Sequence, residues 1–227
     1  MKEDYIYLLW QDPNTRRRMV VGELKKQEGY IFFYTGDYKK ARDLGWGMLR
    51  PFPEEKEYRS NVMFPVFSSR LPDPKRRDID AILKGYGMKA YDEYELLKKS
   101  GAKLPIDSYE FIDPIFPEDE TVFRKFYVSG VRHVAKCGGK NCNCMEIVSV
   151  GDEIDLVPET SNPVDRYAVA LYAKNGEKIG FVPAYYSEQV AHRLNLGMSY
   201  QCEVLEVNCM GNCRECIRVK LQMPNGD

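Results

Sequence analysis

Apolar residues in this 227-residue chain occur in short runs that are bounded by turn-forming residues. Examples are Tyr5–Trp10, Tyr30–Tyr34 and Lys178–Val182, and the last of these follows an Asn175-Gly176 hairpin signal. No run approaches the roughly 18 apolar residues that a membrane-spanning helix needs. The pattern predicts short strands and short helices, and therefore an α+β fold.

Helical spacing is confined to a few segments. Ile79, Ile82, Leu83 and Tyr86 stand at i, i+3, i+4 and i+7, which predicts one helix over 78–86. Further helices are predicted over 91–99 and from Pro183 to about Asn195. Among the other segments, we predict a buried apolar run over Val62–Phe67 and strands over Phe126–Ala135 and Met145–Val150.

The composition changes near residue 117, where Pro114 and Pro117 are followed by Glu118-Asp119-Glu120. We interpret this stretch as a linker between two domains, at 1–117 and 122–227. The first is predicted to be a β-sheet domain with helices. In the second, Gly130, Gly151 and Gly180 stand where strands must bend, which is typical of a small β-barrel.

The net charge of −1 argues against binding dominated by a strongly basic surface, so any nucleic-acid contact must be local. The runs Arg16-Arg17-Arg18 and Lys75-Arg76-Arg77 are either solvated charge or parts of such a contact. The first residues show no secretory signal pattern, so the expected location is the cytoplasm.

The seven cysteines all lie at or after Cys137. Two short-spaced clusters converging from separate loops are typical of a tetrahedral zinc site, and Cys213 and Cys216 have the usual chelating spacing. Reduced thiols without metal and an iron–sulfur cluster are the alternatives. Cys202 stands alone in a strand and is expected to be a core residue. The predicted metal ligands are Cys137, Cys142, Cys144, Cys209, Cys213 and Cys216. Six exceed the four that one site needs, so either two are bystanders or two metals share the cluster.

Four ordered segments make the second half resemble the HIRAN domain family, which implies a small OB-like β-barrel. The segments are Ser129-Gly130-Val131-Arg132-His133, 151–157, Asn162-Pro163-Val164-Asp165-Arg166-Tyr167-Ala168-Val169-Ala170-Leu171, and Lys178-Ile179-Gly180-Phe181-Val182-Pro183. Members of that family bind single-stranded DNA ends through a first-strand arginine, neighbouring aromatic residues and an Asn-Pro-aromatic-Asp loop.

The resemblance implies a nucleic-acid site made of Arg132, His133, Asn162, Asp165, Tyr167 and Phe181. Arginine pairs with phosphate, and aromatic rings stack on bases. This chain departs from the family at His133 and Val164, which removes two stacking platforms, and at Phe181, which stands where some relatives have a histidine. The alternative is that Asn162 and Asp165 only build a turn.

Residues 5 to about 113 resemble the N-terminal subdomain of HipA-type kinases. The matching pieces are Leu9-Trp10, Val20-Val21-Gly22-Glu23-Leu24, Tyr30-Ile31-Phe32-Phe33-Tyr34 and Phe64-Pro65-Val66-Phe67-Ser68-Ser69-Arg70-Leu71-Pro72-Asp73. No phosphate-cradling glycine loop or other kinase motif follows. The resemblance implies an alternative function, an antitoxin-like regulator that binds a HipA-type kinase.

We identify no catalytic constellation in the sequence and expect a binding protein rather than an enzyme. The function predicted is nucleic-acid binding, with single-stranded DNA or DNA ends as the ligand and a structural zinc in the second domain.

Overall fold

The computed structural model describes residues 4–134, 147–208 and 215–224. The chain divides into two compact units, Met1–Pro114 and Ile115–Asp227. None of the helices within the described ranges is long and apolar enough to cross a membrane. Helices combined with antiparallel sheets confirm the predicted α+β class.

The first unit is built on a five-stranded antiparallel sheet with the order β4-β3-β2-β1-β5. Its strands are β1 (Tyr5–Gln11), β2 (Arg18–Lys26), β3 (Tyr30–Tyr34), β4 (Tyr58–Ser60) and β5 (Tyr109–Ile112). The sheet is completed by its last strand, because β5 pairs with β1 from about 100 residues further along the chain.

Four short helices accompany this sheet: α1 (Tyr38–Asp43), α2 (Pro65–Ser68), α3 (Ile79–Gly85) and α4 (Glu93–Ser100). The ends of α4 follow from two residues. The Asp92 carboxylate accepts a hydrogen bond from the Glu95 backbone N–H at 3.0 Å, and Gly101 adopts the left-handed conformation with φ 71°.

Aromatic rings form the centre of the first unit's core. The Phe32 ring lies 4.6 Å from that of Phe52 and 5.2 Å from that of Phe67, which in turn meets Phe111 edge-on at 5.1 Å. These contacts tie β3, β5, α2 and the segment before β4 together, since rings at such distances pack favourably.

The described residues of the second unit form two three-stranded antiparallel sheets, with the orders β10-β11-β6 and β7-β8-β9. A short helix α5 (Val131–Val134) follows β6, and α6 (Ala184–Asn195) follows β9. The strands are β6 (Val122–Tyr127), β7 (Ile154–Pro158), β8 (Val169–Ala173), β9 (Lys178–Phe181), β10 (Gln201–Val207) and β11 (Ile217–Met223).

Isolated backbone bridges link these two sheets at two places. Ser129, just beyond β6, pairs with Phe181 of β9, and Glu153, just before β7, pairs with Glu203 of β10. Among the described strands the second unit thus has two bridged sheets, and the closed small barrel stays a prediction.

Three predicted segments differ in the structure. The strand expected over Phe126–Ala135 is wrong, because β6 ends at Tyr127 and Gly130, with φ 74°, turns the chain into α5. The described part of Met145–Val150 contains no strand; Ser149 and Asp152 close a turn there. In the apolar run Val62–Phe67, Val62 is 69% exposed, whereas Met63, Phe64 and Phe67 are buried as predicted.

The segment predicted as a linker belongs to the second unit. The Arg193 side chain of α6 is buried, and its guanidinium donates to the backbone carbonyls of Phe116 and Asp119 at 3.1 and 2.6 Å. Residues 116–119 are therefore attached to the end of α6 by charge-assisted hydrogen bonds.

Replacement of Gly180 by alanine is expected to destabilise the second unit by about 2–4 kcal/mol. The new Cβ would lie 2.4 Å from the Ser129 carbonyl oxygen and 2.6 Å from Val128 Cγ1, at a backbone φ of 146°. Urea denaturation followed by circular dichroism measures the loss. Gly85→Ala, which meets nothing within 4 Å at the end of α3, is the control and should be neutral or slightly stabilising. Equal midpoints for Gly180→Ala and the natural chain would contradict this close approach of the strands.

Candidate functional site

The loop between β7 and β8 has a fixed shape. The Glu159 N–H donates to the Ala168 carbonyl at 2.7 Å, which closes the base of the loop. At its tip, Asn162 Oδ1 accepts hydrogen bonds from the backbone N–H groups of Val164 and Asp165 at 3.0 and 3.2 Å. This is the turn that an asparagine side chain builds by standing in for backbone.

Asp165 fixes the same loop to helix α6. Its Oδ1 accepts from the Tyr167 N–H at 2.8 Å, and its Oδ2 accepts from the Ser187 hydroxyl at 2.7 Å. Ser187 lies in the first turn of α6 and is buried. The loop is therefore anchored, while Val164 at its tip is 89% exposed.

A chain of polar and aromatic contacts runs from the loop to β9. Asn162 Nδ2 donates to Glu159 Oε2 at 3.4 Å, and Lys178 Nζ donates to Glu159 Oε1 at 2.5 Å. The same ammonium lies 4.0 Å from the centroid of the Phe181 ring. The hydrogen bond from Lys178 is the main cause that holds the pKa of Glu159 below its ordinary value.

Phe181 is in turn paired with the segment that leads to α5. Ser129 and Phe181 exchange two backbone hydrogen bonds of 2.8 Å. A Cβ on Gly130 would come within 3.3 Å of the Phe181 ring, so glycine leaves room for that ring. The next residues form α5, which packs against β9 and leaves Arg132 and His133 exposed.

The structure thus brings five of the six predicted site residues to one end of the β7-β8-β9 sheet. Arg132 and His133 lie on a helix, whereas the predicted arginine position was on the first strand; Gly130 is the reason for the difference. Asn162 and Asp165 share the loop, and Phe181 ends β9.

Tyr167, the sixth residue, lies at the base of the loop and is half-buried. The Arg166 guanidinium covers its ring at 4.4 Å. Of the nearby tyrosines, Tyr186 is buried, with its ring 5.8 Å from that of Phe126. The Tyr186 ring is therefore closed to a ligand, whereas Tyr167 and Phe181 are both half-buried.

Sequence reasoning missed Lys178 and Glu159. Residues three apart on a regular strand point to opposite faces, so Lys178 and Phe181 gave no signal as a pair. The register of β9 against β8 shifts between Leu171 and Tyr172, which inserts one extra residue and brings 178 and 181 to the same side. Gly180 was the available clue, since glycine within a strand often marks a bulge.

The comparison with known families decides the classification of this unit. The family model of the HIRAN domain matches residues 125–223. The second unit carries a HIRAN domain. The model of the HipA N-terminal domain matches residues 16–105, within the first unit. Both resemblances noted in the sequence are confirmed.

Two solved structures are similar to parts of the chain. One is the crystal structure of the HIRAN domain of human HLTF, with 14% identity and a TM-score of 0.36; the match covers 47% of this chain and 80% of that one. The other is a protein from Lactobacillus plantarum, with 18% identity and a TM-score of 0.38, over 45% and 94% of the two chains. No curated protein matches the chain significantly.

Five of the six predicted metal ligands lie outside the described residues: Cys137, Cys142, Cys144, Cys209 and Cys213. Cys216 is described and buried, and its carbonyl accepts from the Asn208 N–H at 2.6 Å beside β11. Among the described residues no group of three or more metal-ligating side chains is present. The zinc site stays a prediction.

Elemental analysis of the purified chain tests the predicted zinc site. We expect one or two zinc ions per chain, because four thiolates make one structural site and six thiolates can share two metals. Cys213→Ser should lower the zinc content. The control is Cys202→Ala, since Cys202 is buried in β10, where desolvation raises the pKa of its thiol to about 12. A metal content near zero in the natural chain would contradict the prediction.

The Glu159–Lys178 pair has a predictable pH dependence. The pKa of Glu159 is lower in the folded chain than its ordinary value, so its stabilisation is present near neutral pH and is lost as pH falls through the folded pKa. Glu159→Gln should therefore cost roughly 0.2–1 kcal/mol at about pH 7, because the pair is partly exposed, and less at about pH 3.

Urea denaturation at both pH values measures this difference. Glu188→Gln, on the exposed side of α6, is the control and should change stability little at either pH. A Glu159→Gln deficit that is the same at both pH values would contradict the role given to this ion pair.

Proposed function

We propose that the HIRAN domain of this chain binds single-stranded nucleic acid, and DNA ends in particular, at the end of the β7-β8-β9 sheet. The match to the HIRAN family supports nucleic-acid binding. The Ser129–Phe181 bridge is the main support for placing the binding site there, because it brings α5, which contains Arg132, next to Phe181 of β9.

Exposed groups at this surface suit the parts of a nucleotide. The Arg132 guanidinium is exposed and can form paired hydrogen bonds to a phosphate. The half-buried Phe181 ring offers a base a stacking partner, and the Lys178 ammonium beside it is paired with Glu159.

Asn162 and Asp165 act mainly through the shape of the loop in this proposal. Both polar atoms of each side chain have partners within the domain. An ionised carboxylate has about four lone-pair sites, so Asp165 retains capacity to accept a hydrogen bond from a terminal hydroxyl. Replacing it would also release the loop from Ser187, so Asp165 is a poor residue for a first test.

Fluorescence anisotropy with labelled single-stranded DNA tests the proposal. Arg132→Ala is expected to weaken binding about tenfold or more, since a hydrogen-bonded charge contributes roughly 1.5–3 kcal/mol. DNA with a free 3′ hydroxyl should bind more tightly than the same strand with a blocked end. A matched RNA strand shows whether the sugar matters.

The control is Arg50→Ala, which removes an exposed arginine from the first unit. It should leave the affinity unchanged. The proposal fails if the natural chain binds none of these strands, or if Arg132→Ala and Arg50→Ala bind them equally well.

A further inference from the structure

The outward face of β6 alternates aromatic and basic side chains. Val122 and Phe126 point into the core and are buried, whereas Phe123, Lys125 and Tyr127 lie on the opposite face. Phe123 is 49% exposed, which is unusual for so large an apolar ring on a strand. The pattern Phe-x-Lys-x-Tyr therefore places two rings and a charge in a row.

Each of these rings has a cation beside it. Lys125 Nζ lies 5.7 Å from the centroid of the Phe123 ring, and the guanidinium carbon of Arg218 on β11 lies 5.5 Å from that of Tyr127. Contacts of this kind hold cations next to aromatic faces. Where a ring and a cation are adjacent, the ring can stack on a base while the cation contacts the phosphate of the same nucleotide.

The positive charge along β6 is not matched by acidic side chains on the β6 side of this sheet. Lys220 of β11 stands directly opposite Lys125, and like charges in that position destabilise a sheet. Lys220 is paired with Glu203 of β10 at 2.9 Å. Within the described residues Lys125 makes no ion pair. The sheet therefore has its acidic groups towards β10 and an excess of positive charge along β6.

This face continues into the site of the proposed function. Ser129 follows Tyr127 by two residues, so it lies on the same outward face, and it is paired directly with Phe181. Residues that are directly opposite in a ladder share a face, so Phe181 and its neighbour Lys178 extend the row. We call Phe123, Tyr127 and Phe181, with Lys125, Arg218 and Lys178 beside them, the aromatic strip.

We propose that the aromatic strip binds the body of a single-stranded nucleic acid whose end is held at the β7–β8 loop. This inference rests on the proposed function and adds a second region of contact. Phe123 and Tyr127 are four residue steps apart along β6, a distance of roughly 13 Å that spans several nucleotides. Bases stack on the rings, and phosphates meet Lys125 and Arg218, since the Lys178 ammonium is paired with Glu159.

Strand length separates the two regions. The affinity of the natural chain should rise from an oligonucleotide of about six nucleotides to one of about twenty, since a domain of this size covers ~4–16 nucleotides. Phe123→Ala should weaken binding of the long strand roughly tenfold and leave the short strand unchanged. Arg132→Ala should weaken both.

Lys125→Ala tests the charge. The plot of log affinity against log salt concentration for the long strand should lose roughly 0.7 of slope, the value for one phosphate contact on a single strand. Two matched controls should bind as the natural chain does: Tyr86→Ala, an exposed ring of the first unit, and Lys174→Ala, whose ammonium is paired with Glu153 at 2.8 Å.

Phe123→Trp gives an independent reading of contact. The natural tryptophans, Trp10 and Trp46, are buried in the first unit, so an exposed tryptophan at 123 supplies a distinct signal. Stacking of a base on it should quench its fluorescence when the long strand is added and not when the short strand is added.

The outcomes distinguish the two proposals. Suppose that Phe123→Ala and Lys125→Ala bind the long strand as the natural chain does, while Arg132→Ala binds it more weakly. The proposal that the aromatic strip binds nucleic acid is then overturned, and the proposed function stands. If the natural chain binds neither strand, both are overturned. Equal losses in Phe123→Ala and Tyr86→Ala also overturn the strip, because the effect is then not local.

Discussion

The close approach of β9 to the chain that leaves β6 depends on the absence of a side chain at Gly180. Ser129 and Phe181 exchange backbone hydrogen bonds only because nothing stands between residue 180 and the Ser129 carbonyl. That pairing sets Phe181 at the end of the sheet, brings α5 alongside it, and places Lys178 across the ring through the irregular register of β9. The exposed arginine, the ring and the loop thus share one backbone arrangement.

Much of this arrangement was predictable where a local signal coincided with the tertiary structure. The hairpin signal at Asn175-Gly176 and the strand runs around it correspond to β8 and β9, and the helix predicted to run to Asn195 does so. Arg132 was misplaced, because an apolar run after β6 reads as a continuing strand and only the positive φ of Gly130 ends it. Lys178 was missed because a bulge is invisible to strict alternation.

Some predictions concern properties that the described residues do not test. Zinc binding, the absence of catalysis, a cytoplasmic location and recognition of a HipA-type kinase by the first unit stay predictions. A turn-building role and a ligand-binding role are also difficult to tell apart from sequence. Asn162 and Asp165 use every polar atom of their side chains for contacts within the domain, and the same groups define the surface offered to a ligand. A turn-building residue and a binding residue are not exclusive alternatives here.

The attachment of residues 116–119 to Arg193 determines where the second unit can be separated from the first. A fragment that starts at residue 122 would keep the guanidinium in its buried position at the end of α6 but remove the carbonyl groups that accept its hydrogen bonds. A desolvated cation without acceptors is costly, so such a fragment would unfold at this corner or admit water there. Excision of an intact second unit therefore has to begin at or before Ile115, inside a stretch whose prolines and acidic residues resemble a dispensable connection.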